Sequence, residues 1–276
     1  MVVGVTEAML LPRQYLDINT EGIKSQVLDM TSSAWQWLAT LACLILYTAT
    51  TFLLPVPGCP TGYLGPGGLA ENRSNPNCTG GAATWIDVSV FGSEHIFQRP
   101  TSSAVYHGVA HDPEGLLGTL TSIVMCWLGV AAGRVLLIYQ DWQSRVKRWM
   151  VWGVLCGLVA GSLSGFTVNS GIIPINKNLW SVSFIMATAS MAFILLTMMY
   201  LLIDVSGVWS GSPLIYPGMN SILLYVGHEI CNGMFPWTWK PFNNSHAELL
   251  AMDMWSVSLW VLTSYVLYQK KMFLAI

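Results

Sequence analysis

The sequence predicts an all-α polytopic membrane protein with about six transmembrane helices and an irregular loop domain on the lumenal side. Three observations predict this class. Of the 276 residues, 53% are hydrophobic and 9% are charged, whereas a soluble domain carries roughly 25% charged residues. Uncharged runs of about 20 residues, the length that crosses a bilayer, recur along the chain. The 13 tryptophans and 10 tyrosines suit the bilayer interface, where the ring lies among apolar groups and the polar atom contacts water.

The predicted elements follow in chain order. Residues 1–33 form a cytosolic N-terminal segment, which lacks the basic start, apolar core and small-residue cleavage site of a signal peptide. Six runs are then predicted to cross the membrane: 34–54, 115–138, 149–168, 179–203, 213–235 and 254–269. The fifth run contains Pro217, His228 and Glu229, so it is either a kinked helix with polar groups facing the protein interior or an interfacial segment.

The loops between the runs predict the topology. Asn72 and Asn77 are N-glycosylation acceptors in the 55–113 loop, which places that loop in the lumen if either is used. Alternation then puts 169–178 and 236–253 in the lumen, with a third acceptor at Asn243, and puts 139–148, 204–212 and the 270–276 tail in the cytosol. The positive-inside rule agrees, because the cytosolic side carries most of the clustered cations: Arg134, Arg145, Lys147, Arg148, Lys270 and Lys271.

The third run carries glycines at strict four-residue spacing, which places them along one side of a helix. They are Gly153, Gly157, Gly161 and Gly165. Glycines in this pattern allow a neighbouring backbone to approach closely. The pattern predicts a packing face, for which Gly129 and Gly133 in the second run offer a partner surface. A glycine-lined substrate tunnel is the alternative.

Several polar residues at or near membrane depth are candidates for function, because an ionisable group there costs roughly 2.5 to 3.5 kcal/mol. Asn220, His228 and Glu229 either surround a polar cavity or pair near the lumenal end of the helix. Lys177 and Asn178 precede the fourth run, where free N–H groups and a cation favour an anion or a polar sugar. The alternative is a simple helix cap with a solvated lysine. His246 is a further polar candidate.

The 55–113 loop contains a stretch, 59–68, in which proline and glycine exclude a helix. Cys59 and Cys78 are predicted to lie in an oxidising compartment and to pair with each other or with cysteines of a missing segment. The loop's other polar groups show no metal-ligand or triad spacing and are predicted to be mostly surface residues: Asp87, Glu94, His95, His107, His111, Asp112 and Glu114. No metal site and no bound cofactor are predicted. A net charge of −2 leaves no basic footprint for nucleic acid.

Five separated blocks of the sequence resemble the lysosomal heparan-alpha-glucosaminide N-acetyltransferases. They are 57–68, 76–83, 112–119, 176–181 and 216–229, taken in order along the chain. The resemblance runs from about residue 29 to the C-terminus and corresponds to the C-terminal half of that family. It implies a multi-pass enzyme of the lysosomal membrane that transfers acetyl from cytosolic acetyl-CoA to the terminal non-reducing glucosamine of lumenal heparan sulfate.

The resemblance also implies roles for some residues and partners. Four cations on the cytosolic side would attract the anionic acetyl-CoA, namely Arg134, Arg145, Lys147 and Arg148. The partners are the bilayer, acetyl-CoA, heparan sulfate ends, an N-terminal half that this chain lacks and a second copy of the chain. The family's catalytic histidine lies in that upstream half, so none of the five histidines here inherits its role. We therefore expect a fragment, an isoform or an incomplete version of a longer protein, without activity alone.

Composition alone leaves two other interpretations. Polar residues on a proline-broken helix at membrane depth are also typical of a small-solute transporter, although no internal repeat supports it. A non-catalytic membrane scaffold that dimerises through the glycines of the third run is the remaining alternative.

Overall fold

The computed structural model describes residues 31, 33–169, 171–243 and 245–274, so most of the predicted 1–33 segment lies outside the described residues. Within these ranges the chain is helical or irregular, without strands, and the all-α class is confirmed. The chain divides into two units, one that ends at Met198 and one that begins at Met199. The helices are α1 (Ala34–Leu53), α2 (Ala82–Phe91), α3 (Ser103–Tyr106), α4 (Leu116–Ile138), α5 (Trp142–Ser164), α6 (Val182–Tyr200), α7 (Ile215–Met219), α8 (Ser221–Ile230) and α9 (His246–Gln269).

Five of the described helices are long and apolar enough to cross a membrane. They are α1, α4, α5, α9 and α6 together with its π-helical continuation Leu201–Val205. The fifth predicted run, 213–235, is not one helix, because α7 ends at Met219 and α8 begins at Ser221. Asn220, between them, has φ −128° and ψ 34°, outside the helical region. The segment is therefore two short helices with a break between them.

The third predicted run is shifted toward the N-terminus. α5 begins at Trp142, because the Asp141 carboxylate accepts the Ser144 N–H at 2.9 Å and caps the helix. The helix ends at Ser164, and Gly165 follows in the left-handed conformation. Most of the predicted basic loop 139–148 is consequently the first turns of a helix.

The first unit packs α1 against α4. A buried apolar cluster joins four segments at one end of this pair, with Tyr47, Leu117, Ile173 and Val182 at its centre. The Tyr47 hydroxyl donates to the Leu179 carbonyl at 3.0 Å. This cluster ties the 169–179 segment to the helices and fixes one wall of the site described below.

The predicted glycine face packs within the chain. A Cβ added at Gly157 would lie 2.9 Å from Ser190 Oγ, and that hydroxyl donates to the Gly153 carbonyl at 2.7 Å. The face therefore lets α6 approach α5. The predicted partner surface on α4 was wrong, because a Cβ at Gly129 or Gly133 would meet nothing within 4 Å. A scaffold that dimerises through the α5 glycines conflicts with this intrachain packing.

The second unit is organised around Asn220, whose side chain is fully buried. Its Nδ2 donates to the Met272 carbonyl at 3.2 Å, and its Oδ1 accepts the Leu274 N–H at 3.1 Å. The amide therefore holds the tail that follows α9 to the break between α7 and α8. Its role in the described structure is to join two segments of backbone.

Candidate functional site

A cavity of about 840 Å³ lies in the first unit, between the 55–113 loop and the 169–179 segment. Its lining consists of residues 60–66, 171–172 and 174–179, with Ala70, Glu71, Thr79, Gly80, Ser102, Tyr106, His111 and Asn169. Lys177 and Asn178 are the two predicted site candidates that reach it. Its size suits a sugar or another small polar molecule.

The first wall is the proline- and glycine-rich stretch 59–68. A disulfide joins Cys59 to Cys78, with the Cα atoms 5.7 Å apart. Thr79 Oγ1 donates to the Pro66 carbonyl at 2.8 Å and accepts the Val109 N–H at 3.1 Å. These bonds replace the regular backbone pairing that this stretch lacks, so the irregular loop is an ordered surface.

The second wall is fixed to the first through His111, whose side chain is only 2% exposed. Its Nε2 lies 3.0 Å from the Asn178 carbonyl oxygen, to which it donates, and its Nδ1 lies 2.7 Å from Thr84 Oγ1. The Thr84 hydroxyl also lies 2.6 Å from the Thr79 carbonyl oxygen. Both ring nitrogens are therefore used in holding the loop to the 176–179 turn. The sequence predicts that most polar groups of this loop are surface residues, and His111 is an exception, because no local pattern signals a bond between residues so far apart in the chain.

Asp87 is the second exception among the polar groups that were predicted to be mostly surface residues. It is 1% exposed on α2, and its Oδ1 accepts the Leu116 N–H at the start of α4 at 2.9 Å. A carboxylate at this position satisfies one of the free N–H groups of the helix. Its Oδ2 is buried without a hydrogen-bond partner.

The environment of Asp87 raises the pKa of its carboxyl group. Burial is the largest cause, and the nearby Asp112 charge adds to it, while the Leu116 N–H and the His111 ring act in the opposite direction. Burial prevails because removing a carboxylate from water disfavours the charged form more than one hydrogen bond favours it.

Asp87→Asn is expected to change how stability depends on pH. Since the folded pKa lies above the unfolded value of about 3.9, the folded protein binds more protons between the two values, and stability falls as pH rises through that window. The amide keeps an acceptor for the Leu116 N–H but does not ionise. In the protein with Asp87, ionisation of this carboxyl group lowers the thermal midpoint as pH rises from about 4, and this contribution should be absent from Asp87→Asn. Midpoints of the purified protein measured across pH test this, and identical profiles would contradict it.

The cavity carries charges of both signs. Lys177 is exposed on its lining, and Glu71 is a carboxylate on the same lining. Tyr63 lies near Glu71, and burial is the largest cause that raises the pKa of its phenol. The Asn176 side chain accepts the Asn178 N–H at 2.9 Å, which shapes the turn that presents Lys177. The lining therefore offers one partner for an ammonium group, one for an anion and several for hydroxyl groups.

The candidates in the second unit do not form the predicted polar cavity. His228 and Glu229 are exposed on α8, and their side chains approach to 3.4 Å. Asn220 precedes the helix and is buried against the C-terminal tail, so more than two turns separate it from His228. His246 is exposed at the first position of α9. The positions of Asn220, His228 and Glu229 do not support one polar cavity, whereas the approach of His228 to Glu229 fits the alternative, in which these two pair.

The predicted acetyl-CoA cations also have structural roles. Arg145 Nε donates to the Tyr139 carbonyl at 2.6 Å and its Nη2 to the Leu136 carbonyl at 3.0 Å, which satisfies the end of α4. The Arg148 guanidinium lies 3.5 Å from the centre of the Tyr139 ring. Lys147 is exposed and Arg134 is half-buried. Their charges still give this end of the helices a positive field.

In the described ranges, no group of three or more His, Cys, Asp or Glu side chains is placed to hold a metal ion.

Comparison with curated proteins finds the heparan-alpha-glucosaminide N-acetyltransferases of Homo sapiens and Mus musculus, which are 50% and 49% identical to this chain over 248 residues. The chain is similar to these acetyltransferases. The similarity covers 89% of this chain but 37% of the human protein and 38% of the mouse protein. The chain thus spans little more than a third of the length of these relatives. No family model matches it.

The predicted resemblance to heparan-alpha-glucosaminide N-acetyltransferases is confirmed. Two of the blocks that carried it, 57–68 and 176–181, supply opposite walls of the cavity. They are separated by about a hundred residues in the chain, and His111 joins them. Two of the five segments by which the chain resembles the acetyltransferases therefore meet at one polar site.

Proposed function

We propose that this chain forms part of a multi-pass N-acetyltransferase of the lysosomal membrane. The enzyme takes acetyl from cytosolic acetyl-CoA and delivers it to the terminal non-reducing glucosamine of lumenal heparan sulfate. The similarity to heparan-alpha-glucosaminide N-acetyltransferases supports the reaction. The five candidate spanning helices support a protein with one face in each compartment. A homodimer is a further proposal for the complete enzyme.

The observation that carries the proposal is the cavity itself. The 55–113 loop holds two glycosylation acceptors, which favour its placement in the lumen. The cavity that this loop lines would then bind heparan sulfate on the lumenal side. The positive end with Arg134 and Lys147 would then face the cytosol and attract the nucleotide of acetyl-CoA. Only the small acetyl group needs to pass between the two faces.

The cavity suits the end of a heparan chain by charge. The amine of glucosamine is a cation until it loses a proton, and Glu71 is placed to bind it. The carboxylate or sulfate groups of the neighbouring sugar are anions, and Lys177 is placed to bind them. Hydroxyl groups find partners in the amide side chains of Asn176 and Asn178.

The reaction forms a C–N bond between the glucosamine nitrogen and the acetyl carbon, while the thioester C–S bond breaks and coenzyme A leaves as a thiolate. A general base must remove a proton from the amine, and hydrogen-bond donors must stabilise the oxyanion. His111 does not fit the base, because both of its ring nitrogens are engaged inside the protein. This agrees with the resemblance, which assigns the catalytic histidine to a segment outside this chain.

An exchange experiment tests the proposal. The matched 248 residues of the human relative would be replaced by those of this chain and expressed in cells without the endogenous enzyme. We expect labelled acetyl to reach a glucosaminide in the lumen, and we expect no turnover from membranes that contain this chain alone. A well-expressed but inactive chimaera would contradict the proposal. Solute flux through the chain without acetyl transfer would favour a transporter instead.

Lys177→Ala in this chimaera is expected to weaken binding of the charged acceptor. Loss of one charge-assisted hydrogen bond, about 1.5 kcal/mol, should raise KM for a sulfated heparan oligosaccharide roughly tenfold. The KM for a neutral glucosamine glycoside should stay unchanged, and Lys177→Arg should retain most of the effect of the charge. Kinetics with both acceptors provide the measurement. An equal rise for both acceptors would show that Lys177 acts by shaping the turn and not by charge.

A further inference from the structure

The glycosylation acceptors Asn72 and Asn77 lie five residues apart, but the residues that follow them differ in exposure. After Asn72, Arg73 and Ser74 are exposed. After Asn77, Cys78 and Thr79 are each only 3% exposed. Both asparagine side chains themselves reach solvent. Either asparagine can therefore carry a glycan without a steric clash. The two residues after Asn72 are accessible to a transferase in the folded loop, whereas the two residues after Asn77 are not.

The residues after Asn77 belong to the folded loop. Cys78 is bonded to Cys59, and the Thr79 hydroxyl donates to the Pro66 carbonyl at 2.8 Å while it accepts the Val109 N–H at 3.1 Å. The Thr79 carbonyl in turn lies 2.6 Å from the Thr84 hydroxyl. By contrast, the Ser74 hydroxyl makes only a local bond to the Glu71 carbonyl at 2.6 Å, on an exposed turn. Freeing Thr79 requires opening of the loop, whereas freeing Ser74 does not.

Glycan transfer needs the whole acceptor sequence. The asparagine side-chain nitrogen bonds to C1 of the sugar on a lipid-linked oligosaccharide, the bond from C1 to the lipid diphosphate breaks, and the nitrogen loses a proton. The transferase recognises the hydroxyl two residues later, so that hydroxyl must be accessible in an extended segment. Forming the disulfide removes two protons and two electrons from the thiols, which pass to a disulfide of the oxidising folding machinery.

We propose that Asn77 is a modification site only until Cys59 and Cys78 pair and the loop closes over Thr79, whereas Asn72 stays available afterwards. Pairing and glycosylation then compete for the same segment during synthesis. In chains whose loop closes before Asn77 is glycosylated, Asn72 remains the accessible acceptor of the loop. This inference rests on the lumenal placement of the loop in the proposed function.

The test uses the full chain translated into the oxidising lumen of microsomes, with one acceptor left at a time. In Asn72→Gln, which leaves Asn77, we expect partial occupancy that rises when Cys59→Ser is added or when dithiothreitol is present during synthesis. In Asn77→Gln, which leaves Asn72, we expect occupancy that neither change alters. Occupancy is read as the gel shift that a glycosidase removes. When transfer is blocked during synthesis and restored after folding, Asn72 should gain a glycan and Asn77 should not.

Cys231→Ser is the matched control, because Cys231 is a free cysteine in the other unit. It should leave Asn77 occupancy unchanged. Equal occupancy of Asn77 with and without Cys59, or transfer to Asn77 after folding, would overturn the inference. The dithiothreitol arm keeps the test independent of any folding defect in Cys59→Ser. If neither Asn77 nor Asn72 is ever glycosylated, the lumenal placement of the loop is wrong. If Asn72 is glycosylated but Asn77 does not depend on Cys59, only the proposed competition between pairing and glycosylation is wrong.

Discussion

Replacing His111 by alanine is expected to lower the free energy of unfolding by about 2 to 4 kcal/mol. The substitution removes the bond from Nε2 to the Asn178 carbonyl and leaves a hole in a site where the ring is 2% exposed. It also removes the ring from Thr84 Oγ1. Thermal unfolding of the detergent-solubilised protein measures the loss, and limited proteolysis should show faster cleavage in the 169–179 segment.

The matched control for His111→Ala is His95→Ala. His95 lies in the same loop and bonds the Phe91 carbonyl at 2.9 Å, but it is exposed. Substitutions at exposed positions usually change stability by less than about 0.5 kcal/mol. Equal midpoints for the two variants would show that the His111 bridge does not hold the cavity walls together. In the chimaera described above, His111→Ala should also raise KM for the heparan oligosaccharide, because the turn with Lys177 loses its support.

Gly68→Ala is expected to be the most damaging single-methyl change in the loop. Gly68 has a φ of +57°, and an added Cβ would collide with the carbonyl oxygen of Tyr106 and lie 2.8 Å from the Gly108 nitrogen. The Tyr106 carbonyl has little freedom to move, because it accepts the Leu69 N–H at 2.6 Å. Left-handed backbone costs a residue with a side chain about 1 to 2 kcal/mol, and the collision adds about 1 to 3 kcal/mol.

Gly58→Ala separates these two contributions. Gly58 has a φ of +76°, but an added Cβ would meet nothing within 4 Å. It should therefore cost about 1 to 2 kcal/mol from the backbone alone. Thermal midpoints and the yield of folded protein for both variants provide the measurement. A Gly68→Ala protein as stable as Gly58→Ala would mean that the 59–68 stretch is not packed against the 106–108 segment.

The membrane helices were predictable from the sequence because their signal is local. An uncharged run of about 20 residues identifies a spanning helix whatever it packs against, and five of the six predicted runs correspond to helices that can span. The start of α5 was missed, although Asp141 three residues before Ser144 is itself a local capping signal. The break at Asn220 was only half predicted. Asn220 is hydrogen-bonded to the backbone of the C-terminal tail about fifty residues away, a contact that no local pattern signals.

The site was less predictable, since it depends on contacts between distant segments. Lys177 and Asn178 were found from their place before a helix, and they do line the cavity. His228 and Glu229 were chosen for their cost in a membrane, but they lie exposed on a short helix. Asp87 and His111 belong to a set that was predicted to lie mostly at the surface, and these two are buried.

The sequence by itself determined the class of the protein, the positions of its apolar helices and its resemblance to acetyltransferases, because length, composition and short blocks are properties of neighbouring residues. Only the tertiary structure decided that the 59–68 and 176–179 segments share one cavity, that His111 joins its walls, and that Asp87 is buried against the start of α4. The physical reason is that a polar side chain becomes structural when burial removes it from water, and burial depends on which distant segments the fold brings against it.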